Sequence, residues 1–221
     1  IHKKILMTKT YKHSSENKPK QKKKNPNTHM YSFMSPLRLK AETIRDTVLQ
    51  ISGLLSNKMY GPTVKPPQPG GVWRVIGNVD NTYKISTGED RYRKGLYTIW
   101  RRSAHYPAFA NFDAPDRGAC TVKRTRSNTP MQALTLLNDE AYLEAAQALG
   151  RRIKTNSEMK TDSQKLTYAF RLCTSRNPDS RELEILTDIL KRERAGKNAK
   201  YDEWFTVATV LINMHETITR R

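Results

Sequence analysis

Asp113 and Asp116 stand three positions apart, with Arg117, Cys120, Arg124, Arg126 and Asn128 close behind and His105 just upstream. On a turn, two such carboxylates can share a divalent cation through hard oxygen ligands. They can equally clamp Arg117, Arg124 or Arg126 in paired N–H···O bonds. No further ligand follows at a regular spacing, so arginine pairing is the simpler reading and no metal is assigned. Cys120 sits among cations, a setting that lowers a thiol pKa and makes a nucleophile; a lone cysteine also serves as a small buried hydrophobe. His105 could ligate an external haem or metal, or hydrogen-bond within its loop. The five histidines are dispersed, and none forms H-x-x-x-H or H-E-x-x-H. Asp113, Asp116, Arg117, Cys120 and His105 are therefore the catalytic candidates, with no nucleophile–base pair fixed by spacing.

Binding chemistry is written over a longer stretch. From Arg91 to Arg126 the chain carries nine Lys/Arg against two Asp, interleaved with aromatic residues. That composition suits a nucleic-acid surface, yet no nucleic-acid motif is present. It suits an anionic polysaccharide as well. Trp100, Arg101, Arg102, Arg124, Arg126 and Asn128 are the binding candidates. The net charge of +19 attracts polyanions of either kind. Most of that charge is scattered, which favours a solvated basic surface over a dedicated one.

Length allows one or two domains with a real core. The apolar share of 36% is low and the charged share of 28% high, which fits long loops or a piece of a larger assembly. Cys120 and Cys173 allow one disulfide but no disulfide framework. The chain has no C-x-x-C-H, so no covalent haem and no other cofactor is expected on it. It has no run of 18 apolar residues, so no membrane-spanning helix is expected. Ile1 opens without the apolar core of a signal peptide, as expected for a fragment or a processed chain.

The elements that must position these residues are mostly helices. Residues 1–8 read as the end of a helix with Ile1, Ile5 and Leu6 on one side. Residues 12–29 are lysine-rich and too poor in apolar groups to fold alone, so they read as an exposed loop. Ser35 and Pro36 suit an N-cap and first turn. Ile44, Val48, Ile51 and Leu55 then form one apolar stripe, and Gly53 is placed to end the helix. Glu42, Arg45 and Asp46 fall off the stripe, toward solvent or local pairs. Four prolines and three glycines between 61 and 71 impose extended and turn structure, which Trp73 pins down. Residues 72–90 are mixed, and Leu96–Trp100 reads as a short strand or a buried helix. Helices are expected over 37–52, 131–152, 163–174, 181–194 and 203–215. Thr129, Pro130 and Gln132 form a capping-box pattern; Asn138 and Asp162 are further caps. Leu143, Leu149, Leu166, Phe170, Leu183, Leu186, Trp204 and Leu211 should share a core. The fold class is mainly α, an irregular helical domain with a loop-rich, proline-rich middle and a C-terminal helical bundle. The division is 1–126, helix plus extended loops, and 127–221, helical.

The block FDAPDRGACTVKRTRSNTPMQALTLLND, residues 112–139, resembles the signature of a planctomycete-type C-terminal domain of unknown function. SPLRLKAETIRDTVLQISGLLS, GPTVKPPQPGGVW, KGLYTIWRRSAHYPAFANFDAPDR and VLINMHETITR resemble other segments of that domain, in the same order. The chain begins inside the family domain, and Thr217 stands where the family usually has an aromatic residue. The resemblance implies the closing module of a large, extracytoplasmic, cytochrome-c-associated protein. It places any haem c on a separate domain and makes the other domains of the same polypeptide the first partners. It marks Arg45 and Asp46 for testing, and implies no activity. A structural or scaffold module, an enzyme with its site in the Asp113–Asn128 block, and a basic polyanion binder are the three readings it leaves.

Overall fold

A computed structural model of the chain describes residues 1–13, 36–73, 83–196 and 202–220. Most of the lysine-rich loop, the Ser35 cap and part of the 72–90 segment lie outside the described residues. Among the described residues there are eight α-helices and one ladder of two very short strands, so the fold is mainly α. The chain divides into two compact units, Ile1–Leu39 with Ile218–Arg221, and Lys40–Thr217. The boundary at 126/127 falls inside the second unit.

In the first unit, α1 spans His2–Leu6. Ile1, Ile5 and Leu6 are all exposed. Strand β1, Leu37–Arg38, pairs antiparallel with β2, Thr219–Arg220. This corrects the expected helix start: Pro36–Arg38 are not helical, because Leu37 and Arg38 are taken into the ladder and Leu39 N–H bonds Ile218 O at 3.0 Å.

In the second unit, α2 runs over Ala41–Ser52, capped by Lys40 without a side-chain bond. Ile44, Val48 and Ile51 are buried as their spacing demands. Gly53 ends the helix at φ +81°, a left-handed position suited to glycine. From there to Tyr106 the described residues are irregular apart from 3-10 turns, the first at Gly88–Tyr92, and are steadied by parallel bridges from Ser56 to Arg93 and from Val64 to Thr98. The expected strand or helix at 96–100 is instead one 3-10 turn, Gly95–Tyr97, followed by a single bridge. Val64 offers its backbone there, bonding Tyr97 O and Ile99 N–H.

Helix α3 is short, Pro107–Asn111. Helices α4, Pro130–Asn138, and α5, Glu140–Lys154, divide the 131–152 span one residue beyond the second cap expected at Asn138. The break falls at Asp139, whose backbone is extended and whose carboxylate accepts from Ala141 N–H at 3.0 Å. Asp139 rather than Asn138 is the cap; the Asn138 amide donates to Leu134 O. Thr129 caps α4 with no side-chain bond, so no capping box forms, and Gln132 turns its amide to Ser127 instead. Helix α6, Asp162–Thr174, is capped one residue earlier than expected, by Thr161 in a box with Gln164. Helix α7, Ser180–Ala195, carries the same device in Asp179 and Glu182. Helix α8, Glu203–Asn213, ends where the buried Thr217 hydroxyl donates to Leu211 O at 2.6 Å.

The core is built chiefly on α5 and α8. Leu149, Leu166, Phe170, Leu186, Trp204 and Leu211 are buried as expected, whereas Leu143 and Leu183 are only half-buried. Gly150 lets α5 and α8 touch backbone to backbone: a Cβ there would lie 3.0 Å from Trp204 C and O and Phe205 N. No helix among the described residues is long and apolar enough to cross a membrane.

Candidate functional site

The signature segment is a loop closed at its base by a carboxylate. Phe109 and Phe112 bury α3 against the core. Asp113 follows in the left-handed region, φ +58°, which turns its side chain back toward residue 127. There it accepts from Ser127 N–H at 2.7 Å and from Ser127 Oγ at 2.8 Å. Gln132 Nε2 adds a bond to the same hydroxyl at 3.0 Å, and Asn111 Nδ2 bonds Thr135 Oγ1 at 2.8 Å. The loop is thereby fastened to the first turns of α4. Asp116 is exposed, and its carboxylate accepts from Gly118 N–H at 2.9 Å. His105 Nε2 lies 3.1 Å from Asp116 O. The fold thus gives both carboxylates backbone or hydroxyl donors rather than the arginines that their spacing suggests. Asp113 is turned away by its backbone, and Asp116 projects into solvent.

The arginines act elsewhere. Arg124 forms a two-pronged pair with Glu42 of α2, at 2.8 and 3.0 Å. Arg117, also left-handed at φ +60°, lies over the Trp100 ring at 4.2 Å. Trp100 leans in turn on Phe109 and His105. Arg101 lies over Trp73 at 4.8 Å, which with the Trp73–Tyr83 edge contact holds the proline-rich segment in its own unit.

Two clefts meet at Arg117 and Arg124. The larger, about 550 Å³, has Trp100, Thr98, Lys40, Glu42 and Asp46 in its walls. The smaller, about 390 Å³, adds Arg102 and Cys120. Neither Asp113 nor Asp116 lines either cleft, nor do His105, Arg101, Arg126 and Asn128. Arg126 and Asn128 are exposed. Cys120 is exposed and Cys173 buried, and both are free thiols. Burial pushes the Cys173 thiol up to about 12, so it is protonated at neutral pH. Among the described residues no three His, Cys, Asp or Glu side chains gather as a metal set would.

Of the two roles expected for Glu42, Arg45 and Asp46, solvent or local pairs, the structure shows pairing. Arg45 is 2% exposed and donates to Arg91 O at 2.8 Å. Asp46 accepts from Gly95 N–H at 2.6 Å. Gly95 is needed there: a Cβ would lie 3.0 Å from Glu42 Cα. Arg93 is fully buried, donating to the Pro62 and Tyr60 carbonyls while its guanidinium lies 3.7 Å over Tyr97. Arg91 bonds both Glu140 and Glu144 of α5. The coil presents no apolar period that would mark these partners. The cue available was the crowding of arginines against a helix carrying Glu42 and Asp46. Burial also raises the Tyr106 phenol far above its usual range and Asp139 to about 6, with Arg45 opposing both shifts.

A family model described as PSD1, a protein of unknown function (DUF1553), matches residues 1–190. No curated protein and no solved structure matches the chain.

Proposed function

The chain belongs to the PSD1 family of proteins of unknown function (DUF1553), and on that premise we propose that it is a structural module of a larger protein. The observation that carries this reading is the engagement of Asp113: its carboxylate is spent on Ser127, inside its own chain, and lines neither of the two clefts. A general acid, base or metal ligand needs a side chain within reach of a substrate atom. Three arginines of the coil follow the same pattern, Arg124 with Glu42, Arg91 with Glu140 and Glu144, Arg93 with backbone carbonyls. Such links hold an irregular segment in one shape where helix periodicity cannot.

The wider setting belongs to the proposal too. The ordered series of sequence motifs supports a closing module of an extracytoplasmic, cytochrome-c-associated protein of planctomycete type. Any haem c would then sit on a separate domain, and the partners would be other domains of the same polypeptide. The test is to express the longer polypeptide and this chain separately and to extract both with acid acetone. A Soret band should survive in the longer protein and be absent from this chain; haem retained by this chain, or by neither, contradicts the setting. An enzyme centred on residues 113–128 has less support, because neither of its two carboxylates lines either cleft. Anion binding is the second reading, and Arg117 at the shared wall of the clefts favours it.

A further inference from the structure

We propose that the cleft walled by Trp100, Arg117 and Arg124 binds an acidic sugar, holding its sulfate ester or carboxylate on Arg117. The inference goes beyond the structural role argued above and stands on different residues.

Arg117 has the features of a prepared anion receptor. Its guanidinium carbon lies 4.2 Å from the centre of the Trp100 ring, a cation–π contact that holds the head group at the cleft wall. Its backbone is held in the left-handed region, where a side chain other than glycine or asparagine is rarely found without a reason. The ion pairs among the described residues give carboxylates to Arg91, Arg124, Arg176 and Arg194 but none to Arg117. A guanidinium so placed matches the two oxygens of a carboxylate or sulfate in parallel bonds.

Two residues of the cleft wall carry polar atoms without a hydrogen-bond partner among the described residues. The Thr98 hydroxyl and Trp100 Nε1 are buried with no hydrogen-bond partner among the described residues, and both residues line the cleft. Thr98 is only 5% exposed. At about 550 Å³ the cleft lies in the range that holds a small ring-sized ligand. The second cleft, about 390 Å³, shares Arg117 and Arg124 and adds Arg102, so a linked second unit has a place to continue.

The acids of the cleft favour a sugar over a nucleic acid. Glu42 and Asp46 stand beside the cations, and each ionised carboxylate keeps acceptor capacity beyond the bonds it already makes. Hydroxyl groups can donate to those acceptors. A DNA backbone carries no such donors within the chain and would bring repeated negative charge against both acids.

The experiment is calorimetric titration of the whole chain, at low salt, with a heparin-derived sulfated disaccharide, inorganic sulfate and a short oligothymidylate. The disaccharide should bind, and a uronate disaccharide without sulfate tells which oxyanion carries the contact. Arg117→Ala and Arg117→Lys should each weaken binding by about tenfold or more, since lysine offers neither the planar stack nor the paired bonds. Arg117 is exposed, so both variants should keep the wild-type melting temperature; if Arg117→Ala fails to fold, Arg117→Lys decides. No binding of either disaccharide, binding unchanged in the folded Arg117 variants, or tighter binding of oligothymidylate would overturn the proposal. So would inorganic sulfate binding as tightly as the disaccharide. None of these outcomes touches the role of Asp113, which is tested by stability alone.

Discussion

Arg124 grips both carboxylate oxygens of Glu42, at 2.8 and 3.0 Å, across a separation of 82 positions. One end of the pair lies in the signature loop and the other on the first turn of α2, so a single contact ties the coil to the helix it covers. Gly95 packs against the same turn, and Asp46 one turn later accepts its N–H.

This pair gives a stability signature in acid. Burial alone would raise the Glu42 carboxyl, but the Arg124 bonds outweigh it and the net shift is downward from 4.5. A depressed folded-state pKa means that the stabilisation is present above the unfolded value and is lost as pH falls through the folded one. Wild type should therefore lose stability below pH 4.5, and Glu42→Gln should show less of that loss. At neutral pH the variant should be less stable by about 1 kcal/mol, because the pair is only partly shielded from solvent. Urea unfolding at several pH values measures both.

Asp139 should act in the opposite sense. Burial raises its carboxyl from 3.8 to about 6, against the bonds it accepts from the start of α5. A raised folded-state pKa gives stability that is full below the unfolded value and declines as pH climbs through the folded one. Wild type should thus become less stable as pH rises from about 4 to about 6. Asp139→Asn keeps a capping oxygen and should abolish that decline; an unchanged slope would remove Asp139 from the account.

Gly150 is the tightest point of the bundle. A methyl group there meets the backbone of Trp204 and Phe205 at 3.0 Å, and backbone cannot rotate aside. Gly150→Ala should cost about 1–3 kcal/mol as α5 and α8 are forced apart. Gly70→Ala, with nothing within 4 Å, is the control and should be close to neutral. Thermal unfolding of the two variants compares them directly.

The helices were legible because periodicity and caps are local. Ile44, Val48 and Ile51 share a stripe, and the later helices begin and end within a few residues of expectation. Boundaries slipped where a residue had a choice of partner. Leu37 and Arg38 join a ladder whose other strand lies at the far end of the chain. Asp139 takes the cap that its neighbour Asn138 seemed placed to supply. The site was legible in part: Trp100, Arg102, Arg117, Cys120 and Arg124 do line the two clefts. The buried partners Arg45 and Arg93 were not legible, because burying a guanidinium depends on carbonyls that only the folded coil brings near.

The central claim is that the acid at the heart of the signature loop is structural, and the thermal stability of Asp113→Asn beside Asp116→Asn tests it most directly. Both oxygens of Asp113 receive donors from Ser127, and an amide would turn an NH₂ group toward one of them. That variant should lose about 1–3 kcal/mol, which lowers the melting temperature by several degrees. Asp116 is exposed, and an asparagine can still accept from Gly118 N–H, so its variant should fall within about 0.5 kcal/mol of wild type. An Asp113→Asn protein as stable as wild type, or an Asp116→Asn protein that is the less stable of the two, would contradict the account.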